Sequence, residues 1–299
     1  MHKKVDAARF INKNNQMNYC MNMTNRVNKK IVQYHDDTQI LYNIFWSKAL
    51  HYGFWYEGTK NLSDAVENTN RFVSELLDLQ ENDYVLDAGC GVGGSSFFMA
   101  RYFGVKIKGI TLSSKQIKQA RKDAERLHLG AKVSFEKMDF NNTKFKDDTF
   151  TKIFSIESAC YALNKLDFLR EAYRILKEDG KIVIVDGFLI KKNLSEKEKK
   201  IYEKWLLGWK VDNLSSKDDF LEDLRKVGFK NIRFYNKTSE VMPSSRRMAT
   251  YGYLSFPLTF ILSRLKLISK NVHEHTIGCI NQKKTFYKFT IYGVFYAQK

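Results

Sequence analysis

An open, mostly parallel α/β sheet with helices on both faces is the fold predicted for this chain, and three observations carry that expectation. Short apolar runs alternate with amphipathic stretches over residues 84–186, the pattern of a covered parallel sheet. The first run ends in Asp87-Ala88-Gly89-Cys90-Gly91-Val92-Gly93-Gly94, where glycines allow a tight turn and a close backbone approach to a ligand at a helix N-terminus. The chain has 299 residues, 43% hydrophobic and 14% aromatic. That supports a sizeable core and excludes a disordered or low-complexity protein.

Each element follows in order. Residues 1–30 are rich in Asn, Met and Lys, and residues 34–60 are dense in aromatics; together residues 1–60 read as an arm and lid before a main domain at 61–299. Residues 64–79 place Ala65, Val66, Phe72, Val73, Leu76 and Leu77 near one helix face. Strands are expected at 84–88, 106–110, 133–138, 151–156 and 181–186, with helices at 94–103, 113–130 and 166–176. Ser113 and Gln116 form an S-x-x-Q capping box, and Gly130 suits a left-handed helix stop. Beyond Asp186 the alternation loosens. Residues 191–216 read as a basic helix with Trp205 and Trp209 on one face, and 217–229 as a helix ending at Gly228. Residues 231–236 read as a strand, 242–280 as a basic, partly apolar insertion, and 286–297 as the closing strand.

The formal net charge is +17 and is unevenly placed. Residues 41–190 hold 21 basic and 20 acidic groups, whereas residues 191–299 hold 22 and 10. Such a flank attracts phosphate, nucleic acid or an anionic membrane. Cys20, Cys90, Cys160 and Cys279 contain no C-x-x-C pair, so neither a zinc site nor a disulfide framework is expected. The longest apolar stretch, Gly252 to Leu265, is interrupted by Ser255, Pro257, Thr259, Ser263 and Arg264 and is too short to span a bilayer. With no secretory leader expected, the expectation is a cytoplasmic protein, with peripheral membrane contact left open.

A G-x-G-x-G loop alone is shared with dinucleotide-binding proteins. Here Asp87 precedes the first glycine by two residues, which suits an ammonium or a bridging water rather than a pyrophosphate. The next strand ends Gly109-Ile110-Thr111-Leu112-Ser113, without the acidic residue that grips a dinucleotide's ribose. The run LDAGCGVGGSSFFMARYFGVKIKGITLSSKQIKQA resembles class I S-adenosylmethionine-dependent methyltransferases. Within them it resembles the small-molecule and lipid branch: cyclopropane fatty acid synthases, tocopherol and sterol methyltransferases, and prenyl-diphosphate C-methyltransferases. The resemblance implies a Rossmann-like, mostly parallel seven-stranded sheet, with cap insertions at about 191–216 and 242–280 and S-adenosylmethionine as cofactor. It implies that Gly89, Gly91 and Gly93 line the methionine moiety, that Asp87 anchors its ammonium, and that Cys90 is a further cofactor contact. It further implies that Thr111, Leu112 and Gln116 meet the ribose and adenosine, and that Asp139 and Phe140 hold the adenine. Tyr34, before His35-Asp36, approximates the start of the branch's lid.

Glu157 and Tyr161, in Ser155-Ile156-Glu157-Ser158-Ala159-Cys160-Tyr161, close the fourth strand, where ligands of such sheets bind; they are the expected catalytic residues, and Glu157 is also an expected cofactor contact. A carboxylate there either removes a proton from the acceptor or stabilises a carbocation after methylation of an alkene. The E-S-x-x-Y spacing resembles the prenyl-diphosphate enzymes, and E-x-x-C-x-A the sterol enzymes. His51, Tyr52 and Trp55, in His51-Tyr52-Gly53-Phe54-Trp55, resemble the stretch this branch folds over its cofactor. With Trp205 and Trp209 they are the expected acceptor contacts, since aromatic faces attract cations. Arg246 and Arg247 suit a phosphate head group. His273 and His275 are expected to be structural or superficial, with no metal site; on a strand their rings would share one face.

The leading expectation is methyl transfer to a small apolar or amphipathic acceptor, open to an anionic one. C-methylation of an isoprenoid or other unsaturated lipid leads, with O- or N-methylation of a small molecule as the alternative. Methylation of nucleic acid is disfavoured, because no N-P-P-Y-like run follows the fourth strand. Homo-oligomerisation is left open.

Overall fold

The computed structural model describes residues 25–39, 41, 46 and 50–299; the expected arm over residues 1–24 and the rest of 40–49 lie outside the described residues. Helix α1 (residues 25–39) comes first. It is followed by α2 (Leu62–Leu77), β1 (Tyr84–Ala88), α3 (Gly94–Phe103), β2 (Lys106–Thr111), α4 (Ser114–Arg126), β3 (Val133–Lys137) and β4 (Phe150–Ile156). Then come α5 (Lys165–Ile175), β5 (Leu176–Leu189), α6 (Glu196–Trp209), α7 (Lys217–Val227), β6 (Lys230–Asn236), α8 (Thr238–Arg264), α9 (Lys270–Gln282) and β7 (Thr290–Gln298).

The strands form one sheet in the order β3-β2-β1-β4-β5-β7-β6, in which β7 alone runs against the rest. The chain therefore leaves β1 toward one edge and returns at β4 on its other side. A crevice opens at the carboxyl ends of β1 and β4 because their connections depart in opposite directions. Val85, Leu86, Ile153, Phe154, Val183 and Ile184 are buried in the central strands, as both faces of a covered parallel sheet require. Val73, Leu77, Met99, Ile107 and Ala120 build one core cluster, and Phe168, Leu169, Ala172, Phe220 and Leu224 belong to the other.

Local chemistry sets the helix starts. The side chains of Asn61, Ser113, Asn164, Ser195 and Ser216 each accept a backbone N–H in the following turn, satisfying donors that a helix leaves free. Ser195 and Glu198 complete a reciprocal box. At Ser113 only half of the expected box forms: Thr111 Oγ1 donates to Gln116 Oε1 at 2.7 Å, turning that amide toward the crevice. The stop of α4 also differs from expectation, with His128 taking the left-handed conformation (φ 56°) in place of Gly130.

Pairing in three dimensions shifts other boundaries. β5 runs on to Leu189 because β7 pairs with it through Leu189–Thr290, and β7 starts at Thr290 rather than at 286. The His273 and His275 pair lies on α9, not on a strand, so the rings diverge. His275 Nδ1 meets Tyr34 Oη at 2.8 Å, and His273 Nδ1 meets Thr259 Oγ1 at 3.1 Å. α9 crosses α6 closely: a Cβ at Gly208 would lie 2.5 Å from Gly278 Cα.

Candidate active site

The loop after β1 divides its three glycines between two tasks. Gly89, Gly91 and Gly93 all have left-handed φ, at 98°, 53° and 88°, which costs other residues energy. A Cβ on Gly89 would meet Ser158 Cβ at 2.3 Å, and one on Gly93 would meet Phe135 Cζ at 2.7 Å. These two glycines let the loop pack on its neighbours. Around Gly91 only Leu50 Cδ1 comes near, at 3.6 Å, so this backbone faces open space in the crevice. Gly93→Ala is therefore expected to cost about 1–3 kcal/mol of stability with little change in ligand affinity. Urea unfolding checks this; an unchanged midpoint would contradict it.

Asp87, at the end of β1, is buried, and its Oδ2 accepts from Ser96 Oγ at 2.6 Å. Burial pushes its carboxyl up to about 7, with Ser96 opposing. Asp87, Gly89, Cys90, Gly91, Thr111, Leu112, Gln116, Asp139, Phe140 and Glu157 line one cavity of about 950 Å³, its open mouth included. Asp139 is held from two sides: Oδ1 accepts from Asn141 N at 2.9 Å, and Oδ2 from Asn28 Nδ2 at 2.9 Å. Phe140 packs edge-on against Phe168 at 5.1 Å.

Asn28 belongs to α1, which crosses the crevice. Asp36 of α1 accepts from Ser113 Oγ at 2.6 Å, and its carbonyl accepts from Lys115 Nζ at 2.7 Å. Asn28, Ile31, Val32 and His35 face the cavity, at spacings of one helical stripe. That stripe is a signal the sequence reading missed. It also corrects the expectation for Tyr34, which turns away from the cavity to bond His275. Gly93 likewise does not line it.

Glu157 follows β4 with a left-handed φ of 52°, a strained conformation of the kind found at functional sites. Its Oε1 accepts from Tyr52 N at 2.7 Å and from Tyr292 Oη at 2.7 Å. Burial raises its carboxyl to about 8, against the lowering effect of those bonds. Glu157 borders a second cavity of about 680 Å³, and His35, Leu50 and Tyr161 are shared with the first as well. Trp205, Leu206 and Trp209 of α6 wall this second cavity, with Tyr52, Asp186, Phe286 and Tyr292. Tyr161 ties the wall together by donating to Trp209 O at 3.0 Å.

Among the described residues, no lysine or arginine lines the second cavity. Burial lowers its histidine, His35, to about 4, so the ring is neutral near pH 7. Burial also raises Asp186 to about 6, although its carboxylate accepts from Gly187 N and Cys160 N at 2.8 Å each. Asp186 ends an apolar strand run, a position that could have singled it out. Tyr292 sits on the last strand, where no local pattern marks it.

Several expected acceptor contacts are not brought there. His51 lines the first cavity; its Nδ1 donates to Tyr52 O at 2.8 Å, and its Nε2 lies 3.2 Å from Ser95 Oγ. Trp55 lies outside both cavities, pinned to α8 by Nε1 donating to Ser244 Oγ at 2.9 Å. Arg246 and Arg247 stand exposed on α8, and the Arg247 guanidinium lies 5.2 Å from the Tyr251 ring centroid. They sit outside the acceptor cavity because the helix turns its buried face, with Ser244, Ser245 and Met248, inward.

A sheet of this order, with a glycine loop after β1, an acidic-aromatic pair after β3 and a carboxylate after β4 facing one cleft, defines a class I S-adenosylmethionine-dependent methyltransferase fold. A cyclopropane synthase from Mycobacterium tuberculosis has the same fold: TM-score 0.76, 15% identity, covering 90% of this chain and 98% of that one. So does a geranyl diphosphate C-methyltransferase from Streptomyces coelicolor, solved with Mg2+, geranyl diphosphate and S-adenosyl-L-homocysteine: TM-score 0.71, 19% identity, coverage 91% and 97%. Residues 22–243 match the mycolic acid cyclopropane synthetase family, and the chain belongs to it. A sterol 24-C-methyltransferase from Kluyveromyces lactis is 29% identical over 210 residues, 67% of this chain and 56% of that enzyme. The match thus spans little more than half the length of that curated relative.

The first cavity fits S-adenosylmethionine on two observations of its own. The Cα of Gly91 leaves room that a side chain would fill. Asn141 Oδ1 is a buried acceptor without a partner among the described residues, and it lies in the cavity beside Asp139, where an adenine amine can meet it.

Proposed function

We propose that the protein methylates an unsaturated carbon of a small, largely apolar, isoprenoid-like or lipid acceptor. The observation that carries this reading is the meeting of two cavities at Glu157, the second of them aromatic, carboxyl-bearing and, among the described residues, without lysine or arginine. When bound, S-adenosylmethionine supplies an electrophilic methyl group on a sulfonium. Asp87 and the backbone at Gly89–Gly91 hold its amino-acid end, Thr111 and Gln116 its ribose, and Asp139, Phe140 and Asn141 its adenine. Methylating an alkene leaves the acceptor cationic and with one proton in excess. The rings of Tyr52, Tyr161 and Trp209 offer π faces to such a cation, and Glu157 takes the proton.

The named ligand of the Streptomyces enzyme is a diphosphate. Among the described residues, two carboxyls, Glu157 and Asp186, and no lysine or arginine line the acceptor cavity, which disfavours an anionic group there. That lining favours an uncharged acceptor end. Labelled cofactor incubated with a total lipid extract is expected to yield an apolar product whose label survives acid and alkaline hydrolysis. Label in an ester, in an amine or in RNA would overturn carbon methylation.

The charge state of Glu157 makes a second test. In the free protein its carboxyl is raised to about 8 by burial, so it is mostly protonated at pH 7. A neighbouring sulfonium favours the ionised form. Glu157 therefore strengthens binding of S-adenosylmethionine as pH rises from about 7 to 9, but does nothing for uncharged-sulfur S-adenosylhomocysteine. The affinity ratio of the two is expected to rise about tenfold across that window. Asp87 acts on both ligands and cancels in the ratio. A flat ratio by calorimetry would place Glu157 away from the sulfonium.

A further inference from the structure

The outer half of α8 presents apolar side chains to solvent. Leu254 is 74% exposed, Leu258 60%, Ile261 53% and Leu265 63%. Spacings of four, three and four residues set them in a single stripe on the helix. Tyr253, Phe260 and Leu267 extend the patch and are also exposed. A contiguous apolar face of this kind marks an interaction surface.

Charge says what covers it. Residues 241–273 carry Arg246, Arg247, Arg264, Lys266 and Lys270 and no acidic residue. Lys270 pairs with Glu274 at 3.2 Å; the other four make no ion pair among the described residues. The Arg264 guanidinium lies 5.7 Å from the Phe260 ring centroid, so cation and aromatic stand together at the edge of the stripe. No helix among the described residues is long and apolar enough to cross a membrane. A one-sided apolar stripe with basic flanks instead suits a helix lying in the headgroup region.

We propose that the α8–α9 hairpin docks the protein on an anionic lipid bilayer. Leu254, Leu258, Ile261 and Leu265 enter the acyl boundary, and Arg246, Arg247, Arg264 and Lys266 meet lipid phosphates. The position also suits delivery of an apolar acceptor, a clause that rests on the function proposed above. A cavity of about 1000 Å³, mouth included, opens beside Leu254 and ends on Met248 and His275. Across that wall, Tyr52 Oη lies 3.8 Å from Met248 Sδ, and the Trp209 and His275 ring centroids are 5.7 Å apart. Tyr52 and Trp209 border the acceptor cavity on the other side.

Docking needs no acceptor and no turnover, so it is tested apart from methyl transfer. The full chain is sedimented with vesicles of phosphatidylcholine alone or with about one-third phosphatidylserine. Binding is expected to the anionic vesicles, weakening at high salt. The exposed-site variant L258E/I261E is expected to lower it at least tenfold, and Arg264→Ala about fivefold. S-adenosylhomocysteine binding, which these residues do not touch, reports that the variants are folded. Failure to bind anionic vesicles, or equal binding by parent and variants, would overturn the proposal. A dimer in light scattering that the same substitutions dissociate would assign the face to a second copy and overturn it too.

Discussion

Glu157→Gln is expected to lower turnover by about 10²–10⁴-fold, the usual loss when a general base is removed. Affinity for S-adenosylhomocysteine should be almost unchanged. The amide oxygen can still accept from Tyr52 N–H and Tyr292 O–H, the two bonds that hold the carboxyl, so the pocket keeps its shape. At pH 7 the native carboxyl, raised to about 8 by burial, is mostly neutral and resembles the amide. The difference appears only when the group must take a proton. The same variant should abolish the pH dependence of the affinity ratio described above. Turnover within a factor of about ten of the parent would remove Glu157 as proton acceptor.

Gly91→Val and Asp87→Asn are expected to remove cofactor binding while the fold survives. At Gly91 the side chain would project into the crevice from a left-handed backbone (φ 53°), filling the volume of the methionine chain. At Asp87 the loss of the charged partner of an ammonium costs about 2–5 kcal/mol, or roughly 1.5 to 3.5 orders of magnitude in affinity. The sign of the stability change separates this from unfolding. A carboxyl raised to about 7 in the folded chain opposes folding at any pH above its unfolded value. Asp87→Asn keeps an acceptor for Ser96 and relieves that cost, so its melting temperature at pH 8 should be equal or higher. A lower melting temperature together with unchanged calorimetric affinity would contradict both the site and the linkage.

The cofactor half of the cleft was legible because its requirements are local. A strand of apolar residues ending in Asp87, then glycines at positions that need left-handed φ or open space, can be read within eight residues. The Ser113 cap and strands β1, β2 and β4 are equally short-range, and those strand boundaries shifted by no more than a residue. Even there, the Gln116 amide chose Thr111 over its own helix start. That choice depends on where β2 delivers Thr111, not on the S-x-x-Q spacing.

What the sequence by itself determined is the α/β class, the glycine loop and the placement of Glu157 at the end of β4, since each follows from backbone and burial demands a few residues long. Tertiary structure alone decided the rest. Tyr292 reaches Glu157 from 135 residues away because β7 runs back beside β5. Asn28 reaches Asp139 across 111 residues because α1 lies over the crevice. Arg246 and Arg247 face outward because Ser244, Ser245 and Met248 take the inward side of α8. Their chemistry suggested a phosphate in the pocket, but which side of a helix is buried depends on the surfaces it packs against, and those surfaces are assembled from the whole chain.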